Sequence, residues 1–307
     1  MNIIGKKYWY FLFSLIIIIP GIISLLTFGL NLSIEFTGGS RLTLVFPKEL
    51  SSNQISTLQS VFTQNKIKVA TVEKSGNTVF VRSGPVDDKQ DVLIMGGIKK
   101  SLGNVDQQSY ETVGPTIGLE TLRNAIYALI LASILIVIYI TWSFRSVPKP
   151  TSSFRFGVCA IVALIHDVLV LLGLFSIFGH FFGVEVDSLF VTAALTVIGF
   201  SVHDTIVVFD RIRENLKRIG GNNFSEVVND SILQTLDRSL NTSLTVILVL
   251  FALLIFGGDS IRWFVVALLI GVTSGTYSSI FNASPLLVVW QDLIQKGFSF
   301  KNLKLKK

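Results

Sequence analysis

SLFVTAALTVIGFSVHDTIVVF, residues 188–209, carries one formally charged side chain, Asp204, next to His203. As an α-helix at 1.5 Å per residue it would measure about 33 Å, close to the ~30 Å hydrocarbon core of a bilayer. Comparable apolar stretches cover approximately 9–29, 122–142, 156–178, 241–257 and 263–290. The 241–257 run is short for a full span and the 263–290 run is long. Composition agrees with this reading: of 307 residues 50% are hydrophobic and only 15% charged, where a soluble domain carries about 25% charge. The sequence therefore predicts a polytopic α-helical membrane protein with six transmembrane helices, and it rules out a soluble enzyme. A disulfide scaffold is also ruled out, because the one cysteine, Cys159, lies inside an apolar stretch without an intrachain partner.

Lysine and arginine in the short connecting segments set the orientation. Lys6 and Lys7 precede the first span, and Arg145, Lys149 and Arg155 stand in the 143–155 loop. Arg211, Arg213, Lys217, Arg218 and Arg238 stand in the 210–240 loop, and Lys296, Lys301, Lys304, Lys306 and Lys307 in the tail. The opposite loops, 179–187 and 258–262, hold only Arg262. Both termini are expected to be cytoplasmic, and residues 31–121 extracytoplasmic. Trp9, Trp142, Trp263 and Trp290 all fall at span ends, as an interfacial aromatic belt requires. The first run is longer than a signal-peptide core and no small-residue cleavage site follows Leu30, so it reads as a retained helix with Pro20 as a bending point. The expected organisation is thus 1–30 (cytoplasmic N-terminus and first helix), 31–121 (outer domain), 122–290 (helices two to six with the two cytoplasmic loops) and 291–307 (basic cytoplasmic tail). The net charge of +6 sits on the cytoplasmic segments, where it sets topology and meets anionic lipid, not nucleic acid. In the 210–240 loop, Gly220-Gly221 divides two halves, and Phe224, Val227, Val228, Ile232 and Leu236 give the second an apolar face suited to a helix along the interface.

Within 31–121 the pattern alternates between strand and helix. Ser40–Phe46 reads as a strand, Ser51 caps a helix to about Asn65, and Ile67–Glu73 and Asn77–Ser83 are strands about a Ser-Gly turn. Asp87 and Asp88 open a second helix ending near Gly103, and Val105–Val113 is the last strand. This βαββαβ order is that of an α+β ferredoxin-like domain placed between helices 1 and 2. It contains no paired catalytic carboxylates, metal-ligand spacing or nucleophile elbow, so it reads as a contact module. No cofactor and no metal are expected.

Charge inside hydrocarbon costs on the order of 2.5–3.5 kcal/mol on the insertion scale, which makes intramembrane ionisable groups functional candidates. Asp204 lies in the cytoplasmic third of the fourth span, and Asp167, beside His166, near the middle of the third. Arg238, just before the fifth apolar run, is the cation within reach of Asp204, and Asn241, Thr242, Ser243 and Thr245 add polar groups nearby. Two readings stand for Asp204: proton or ion handling, and a packing hydrogen bond between helices. Asp167 with His166 stands between the same two. His203 is turned about 100° from Asp204 and reads as structural. Asp210, Arg211, Arg213 and Glu214 read as solvated helix ends. Gly271, Gly275 and Ser278, with Ser274, form a small-residue stripe explained by close helix packing.

These features together resemble the SecF branch of the SecD/SecF family of protein-export membrane proteins, related to the resistance-nodulation-division transporters. The resemblance runs through Ile34-Glu35-Phe36-Thr37-Gly38-Gly39, Val113-Gly114-Pro115 and Ala163-Leu164-Ile165-His166-Asp167. It is most specific at Gly199-Phe200-Ser201-Val202-His203-Asp204-Thr205, continuing through Asp210, Arg211 and Arg213, and is completed by Arg238–Thr245 and Gly275–Ser279. Glu35 stands where the family usually has Asp, His203 where it has Asn, and Ser239 where it has Thr; the His203 imidazole next to Asp204 is thereby a further candidate, with His166 and Asp167, to tune or join ion handling. The resemblance implies an auxiliary subunit of the Sec export translocase in a bacterial or archaeal cytoplasmic membrane. It also implies a SecD-type partner as the complementary six-helix half, the SecYEG channel, the SecA motor and a translocating polypeptide. Asp204 and Arg238 fall on the family's ion-handling pair, which couples the proton or sodium motive force to late translocation. Two competing classes are a homodimeric small-molecule or lipid exporter and an intramembrane aspartyl protease using Asp167 and Asp204; the latter lacks its G-x-G-D motif.

Overall fold

The computed structural model describes residues 2–145, 147–148, 150–219 and 223–295. Lys149, the Gly220-Gly221 divide and the basic tail from Lys296 lie outside the described residues. Two compact units emerge, one of residues 1–31 with 128–307, the other of Leu32–Tyr127.

Among the described residues, six helices are long and apolar enough to cross a membrane. They are α1 (Lys7–Thr27), α5 (Pro115–Ser143), α6 (Ser153–Phe182), α7 (Ser188–Ile219), α8 (Phe224–Phe256) and the pair α9 (Asp259–Ser278) and α10 (Ser284–Gln295). A π-helical segment, Ser279–Ala283, joins the last two. Pro285, lacking an N–H, leaves the carbonyl four residues earlier without its usual donor. The wider π turn sits just before it, and Ser284 Oγ donates to the Ser279 carbonyl at 3.2 Å. Helix α1 continues unbroken through Pro20. It meets α6 backbone to backbone, since a Cβ on Gly21 would stand 2.9 Å from Gly173 Cα. Ser24 and Ser176 hydroxyls share a 2.8 Å hydrogen bond at the same crossing.

The 210–240 segment differs from its expected form. It is helical through Ile219 on α7 and from Phe224 on α8, so the short fifth span is one helix of 33 residues. The apolar face of Phe224, Val227, Val228 and Ile232 does not lie on an interface. It is buried with Phe144, Phe156 and Phe209, whose rings pack at centroid distances of 4.9–5.8 Å. Asn215 Nδ2 donates to Ser231 Oγ at 2.8 Å and holds the two extensions together. Continuous i→i−4 bonding is favoured because both halves carry a face that this core covers.

The smaller unit contains α2 (Ile34–Thr37), β1 (Gly39–Val45), α3 (Ser52–Gln64), β2 (Val69–Ser75), β3 (Thr78–Ser83), α4 (Asp88–Leu102) and β4 (Asp106–Val113). The strands form one antiparallel sheet in the order β2-β3-β1-β4. Leu42 and Leu44 of β1 and Val79 and Val81 of β3 alternate onto a single face, where Leu58, Phe62, Ile94 and Ile98 of α3 and α4 cover them. Asp87 caps α4 by accepting from Gln90 N at 2.7 Å, while Gln90 returns an acceptor to Asp87 N at 3.0 Å.

Candidate ion-handling sites within the membrane helices

Asp204 projects from α7 and is 2% exposed. Its carboxylate accepts from Thr276 Oγ1 of α9 at 3.3 Å and from Ser243 Oγ of α8 at 3.4 Å, both on Oδ2. These are long bonds, and the two donors have better company. Ser243 and Thr276 share a 2.5 Å hydrogen bond, and Thr276 also donates to the Val272 carbonyl at 2.9 Å. The site is therefore a buried carboxylate whose neighbours hold one another more tightly than they hold it.

Arg238 does not complete an ion pair with Asp204 among the described residues; it is exposed. Helix geometry gives the reason. Ser243 is the α8 residue that reaches Asp204, and five residues back along a helix is about 140° around its axis. The residue one turn toward the chain's 224 end on the Asp204 side is Ser239, which is 2% exposed. Its Oγ has no hydrogen-bond partner among the described residues.

Asp167 is of a different kind. It is fully buried at 0% exposure and accepts four hydrogen bonds. Ser274 Oγ at 2.7 Å and His166 Nδ1 at 2.9 Å share Oδ1. Ser201 Oγ at 2.5 Å and Ser278 Oγ at 2.6 Å share Oδ2. A carboxylate has about four lone-pair sites, and here each is used by a donor. On its other side, His166 Nε2 lies 3.1 Å from Ser14 Oγ of α1, which in turn receives Asn282 Nδ2 of the π segment at 2.8 Å. Ser278, expected as a packing residue, is thus a ligand of Asp167.

Glycines admit these contacts. A Cβ on Gly271 would stand 1.9 Å from Val197 Cγ2, and one on Gly275 2.9 Å from Ser201 Cβ. Only without them can α9 approach α7 closely enough for Ser274 and Ser278 to reach Asp167. Gly199 has no such neighbour. Thr205 Oγ1 shares a 2.8 Å hydrogen bond with Ser279 Oγ, one turn from Ser201. His203 is exposed, on a face away from Asp204. Asp210 pairs with Arg213 at 2.5 Å and Arg211 with Glu214 at 2.6 Å along α7.

The Glu35–Gly39 motif belongs to the smaller unit. Ile34–Thr37 is a one-turn helix capped by Ser33, with Phe36 buried at 1%. Gly38 and Gly39 have φ of 71° and 122°, the left-handed region that side chains avoid. A Cβ on Gly38 would also meet Pro115 Cα at 2.7 Å, and one on Gly118 the Gly38 nitrogen at 2.7 Å. The motif and Gly114-Pro115 are therefore two halves of one close backbone contact.

Sequence reasoning missed Ser14 and Asn282, and placed Thr276 in the Gly275–Ser279 motif without giving it a role. Ser14 is a lone polar residue in an apolar run, which was the available signal, while Asn282 stands among Ser278, Ser279 and Ser284. What could not be read from one strand of sequence is which of them converge.

The family description "Protein export membrane protein SecD/SecF, C-terminal" matches residues 95–293, and "SecD/SecF GG Motif" matches residues 23–46. The protein translocase subunit SecF of Thermobaculum terrenum is 48% identical over 95% of this chain and 94% of its own length. That of Anaerolinea thermophila is 46% identical, again over 95% and 94%. The crystal structure of SecDF from Thermus thermophilus, described as a translocon-associated membrane protein, superposes with a TM-score of 0.81 at 32% identity. The match covers 95% of this chain and 39% of the longer SecDF chain. With the family model covering most of the chain and relatives matching almost end to end, this multi-pass membrane protein belongs to the SecD/SecF family, among its SecF members.

Proposed function

We propose that this chain is an auxiliary subunit of the Sec protein-export translocase and couples the proton or sodium motive force to late steps of translocation. It acts as one six-helix half beside a SecD-type half, with the SecYEG channel and the SecA motor as further partners, and performs no covalent chemistry of its own. The termini and the 210–240 connection face the cytoplasm, and residues 31–121 form a ferredoxin-like domain outside it. The lysine and arginine bias of the connecting segments supports this orientation.

The observation that carries the reading is the loose seat of Asp204. A buried carboxylate with two long hydrogen bonds on one oxygen gains or loses a proton without breaking a strong contact. When ionised it calls for a cation, and Arg238 on the partner helix α8 is long enough to arrive from its exposed position. Proton loss then draws Arg238 inward and turns α8 against α7, and proton uptake releases it. Coupling follows because the two arrangements differ in proton affinity.

The test is pulse-chase maturation of a secreted reporter in cells depleted of the native subunit and complemented with wild type or Asp204→Asn, at matched membrane levels. Wild type restores export and Asp204→Asn does not. Equal rescue by both would remove Asp204 from the mechanism. Failure of both despite normal insertion with a matched partner would favour a small-molecule exporter.

A further inference from the structure

The chain of contacts beginning at Asp167 has a direction. Asp167 is a pure acceptor for three serines and His166, so His166 Nδ1 carries a hydrogen and points it at Oδ1. That fixes the tautomer. In the neutral imidazole, Nε2 is then a bare acceptor and takes the Ser14 hydroxyl hydrogen at 3.1 Å, while Ser14 Oγ accepts from Asn282 Nδ2 at 2.8 Å. In the imidazolium, Nε2–H donates to Ser14 Oγ. The Ser14 hydroxyl hydrogen swings to Asn282 Oδ1, which lies 3.2 Å away. Both protonation states therefore keep a full set of hydrogen bonds, and the only motion is rotation of one hydroxyl. A protonated Asp167, by contrast, would have to expel one of its four donors.

Access follows the same division. Ser14, His166 and Asn282 line a cleft of about 320 Å³ that is otherwise walled by apolar residues such as Phe11, Leu15 and Leu169. Asp167 faces inward to α7 and α9. We propose that His166 and Asp167 form a second proton-holding centre, separate from Asp204, in which His166 takes and releases the proton from the α1–α6 cleft, Asp167 remains a carboxylate, and Ser14 and Asn282 register the state. This does not rest on the role given to Asp204.

The groups facing His166 are few. From α9 comes Tyr277, its ring 6.3 Å away and its hydroxyl bound to the Tyr10 carbonyl of α1 at 2.8 Å. From α7 comes Ser201, with Asp204 one turn further along but directed to α8 and α9. From α1 comes Ser14, and from the π segment Asn282. Asp292 of α10 is paired with Lys7 at 2.7 Å. Among the described residues, Asp167 is thus the one charge bonded to the ring.

The test uses the full chain in lipid nanodiscs with 15N-labelled histidine and 13C-labelled aspartate, followed by NMR from about pH 5 to 9. The chain has three histidines, so His166→Asn identifies the resonance, and its amide nitrogen keeps the donor to Asp167. The expected result is a His166 ring protonated only at Nδ1 at high pH and at both nitrogens at low pH, with the Asp167 carboxyl carbon constant throughout. The Asn282 side-chain amide shifts with the same midpoint, and in Ser14→Ala it becomes independent of pH. An Asp167 carbon that titrates, a His166 that stays in one state across the range, or an Nε2–H tautomer overturns the proposal. A network that only packs helices together would move none of these signals.

Discussion

The two intramembrane carboxylates should separate cleanly when each is removed. Asp167→Ala takes the acceptor from four donors. Ser278 retains the Gly275 carbonyl at 3.2 Å, whereas the His166 Nδ1–H, 2.9 Å from Asp167, is left without its acceptor. Ser201 and Ser274, both buried, have Asp167 as the acceptor of their hydroxyls. An orphaned buried polar group costs about 1–3 kcal/mol. Interhelical hydrogen bonds in membranes average nearer ~0.6 kcal/mol, because the unfolded chain finds partners too. Between those bounds the loss of four bonds, with three donors left unpaired, amounts to about 2–5 kcal/mol. Asp204→Asn disturbs only two bonds of 3.3 and 3.4 Å whose donors bond each other at 2.5 Å, so it costs at most about 1 kcal/mol. Denaturant unfolding of the purified chain in mixed micelles, followed by tryptophan fluorescence, compares them. Equal destabilisation by the two variants, or a larger loss in Asp204→Asn, would refute the reasoning from bond geometry.

Three further outcomes follow from the packing. Gly271→Ala should destabilise the membrane unit by about 1–3 kcal/mol, since its Cβ would fall 1.9 Å from Val197 Cγ2; the same unfolding assay should show rescue by Val197→Ala. Ser40→Ala leaves the Val86 N–H, now 2.8 Å from Ser40 Oγ, without its acceptor, and should cost about 1–3 kcal/mol, read as lost amide-exchange protection in the smaller unit. Tyr110 donates to the Val86 carbonyl at 2.5 Å, and burial first, then Asp91, push its phenol above the ordinary value of 10.0. The folded state therefore holds that proton more tightly than the unfolded chain, the stabilisation is complete below about pH 10, and it is lost as pH rises through the folded value. An ultraviolet titration should show Tyr110 ionising late, with that phase missing in Tyr110→Phe.

Much of this fold is written locally. Apolar runs of span length and strand alternation between turn signals are properties of neighbouring residues, so the helix predicted from Ser51 to Asn65 appears as Ser52–Gln64, and the strand predicted at Asn77–Ser83 as Thr78–Ser83. The continuations of α7 and α8 past the membrane were harder to read. Phe224, Val227 and Ile232 look the same whether their face meets lipid headgroups or, as here, Phe156 and Phe209. The π segment had a signal in Pro285. At the polar centres sequence gave the carboxylates and not their company. Serine is nearly neutral on a hydropathy scale, so Ser14 vanishes into its run and Ser274 reads only as a small packing residue, and only packing selects Ser239 over Arg238 as the α8 residue turned toward Asp204.

Helix α9 is where the two carboxylates meet. Ser274 and Ser278 donate to Asp167 while Thr276, midway between them, donates to Asp204. Two residues on a helix stand about 200° apart around the axis, so α9 is wedged between the sites and presents a donor to each from opposite sides. The Asp167 bonds, at 2.6 and 2.7 Å, are short enough to fix the register of α9 against α6. The Asp204 bond, at 3.3 Å, is not. By the same measure the 2.5 Å Ser243–Thr276 bond ties α8 to α9 beside Asp204, so the carboxylate itself is the group at this junction held by long bonds. Asp167 thus holds α9 in place from one side, and on the function proposed above any movement of α8 driven from Asp204 has first to part Ser243 from Thr276.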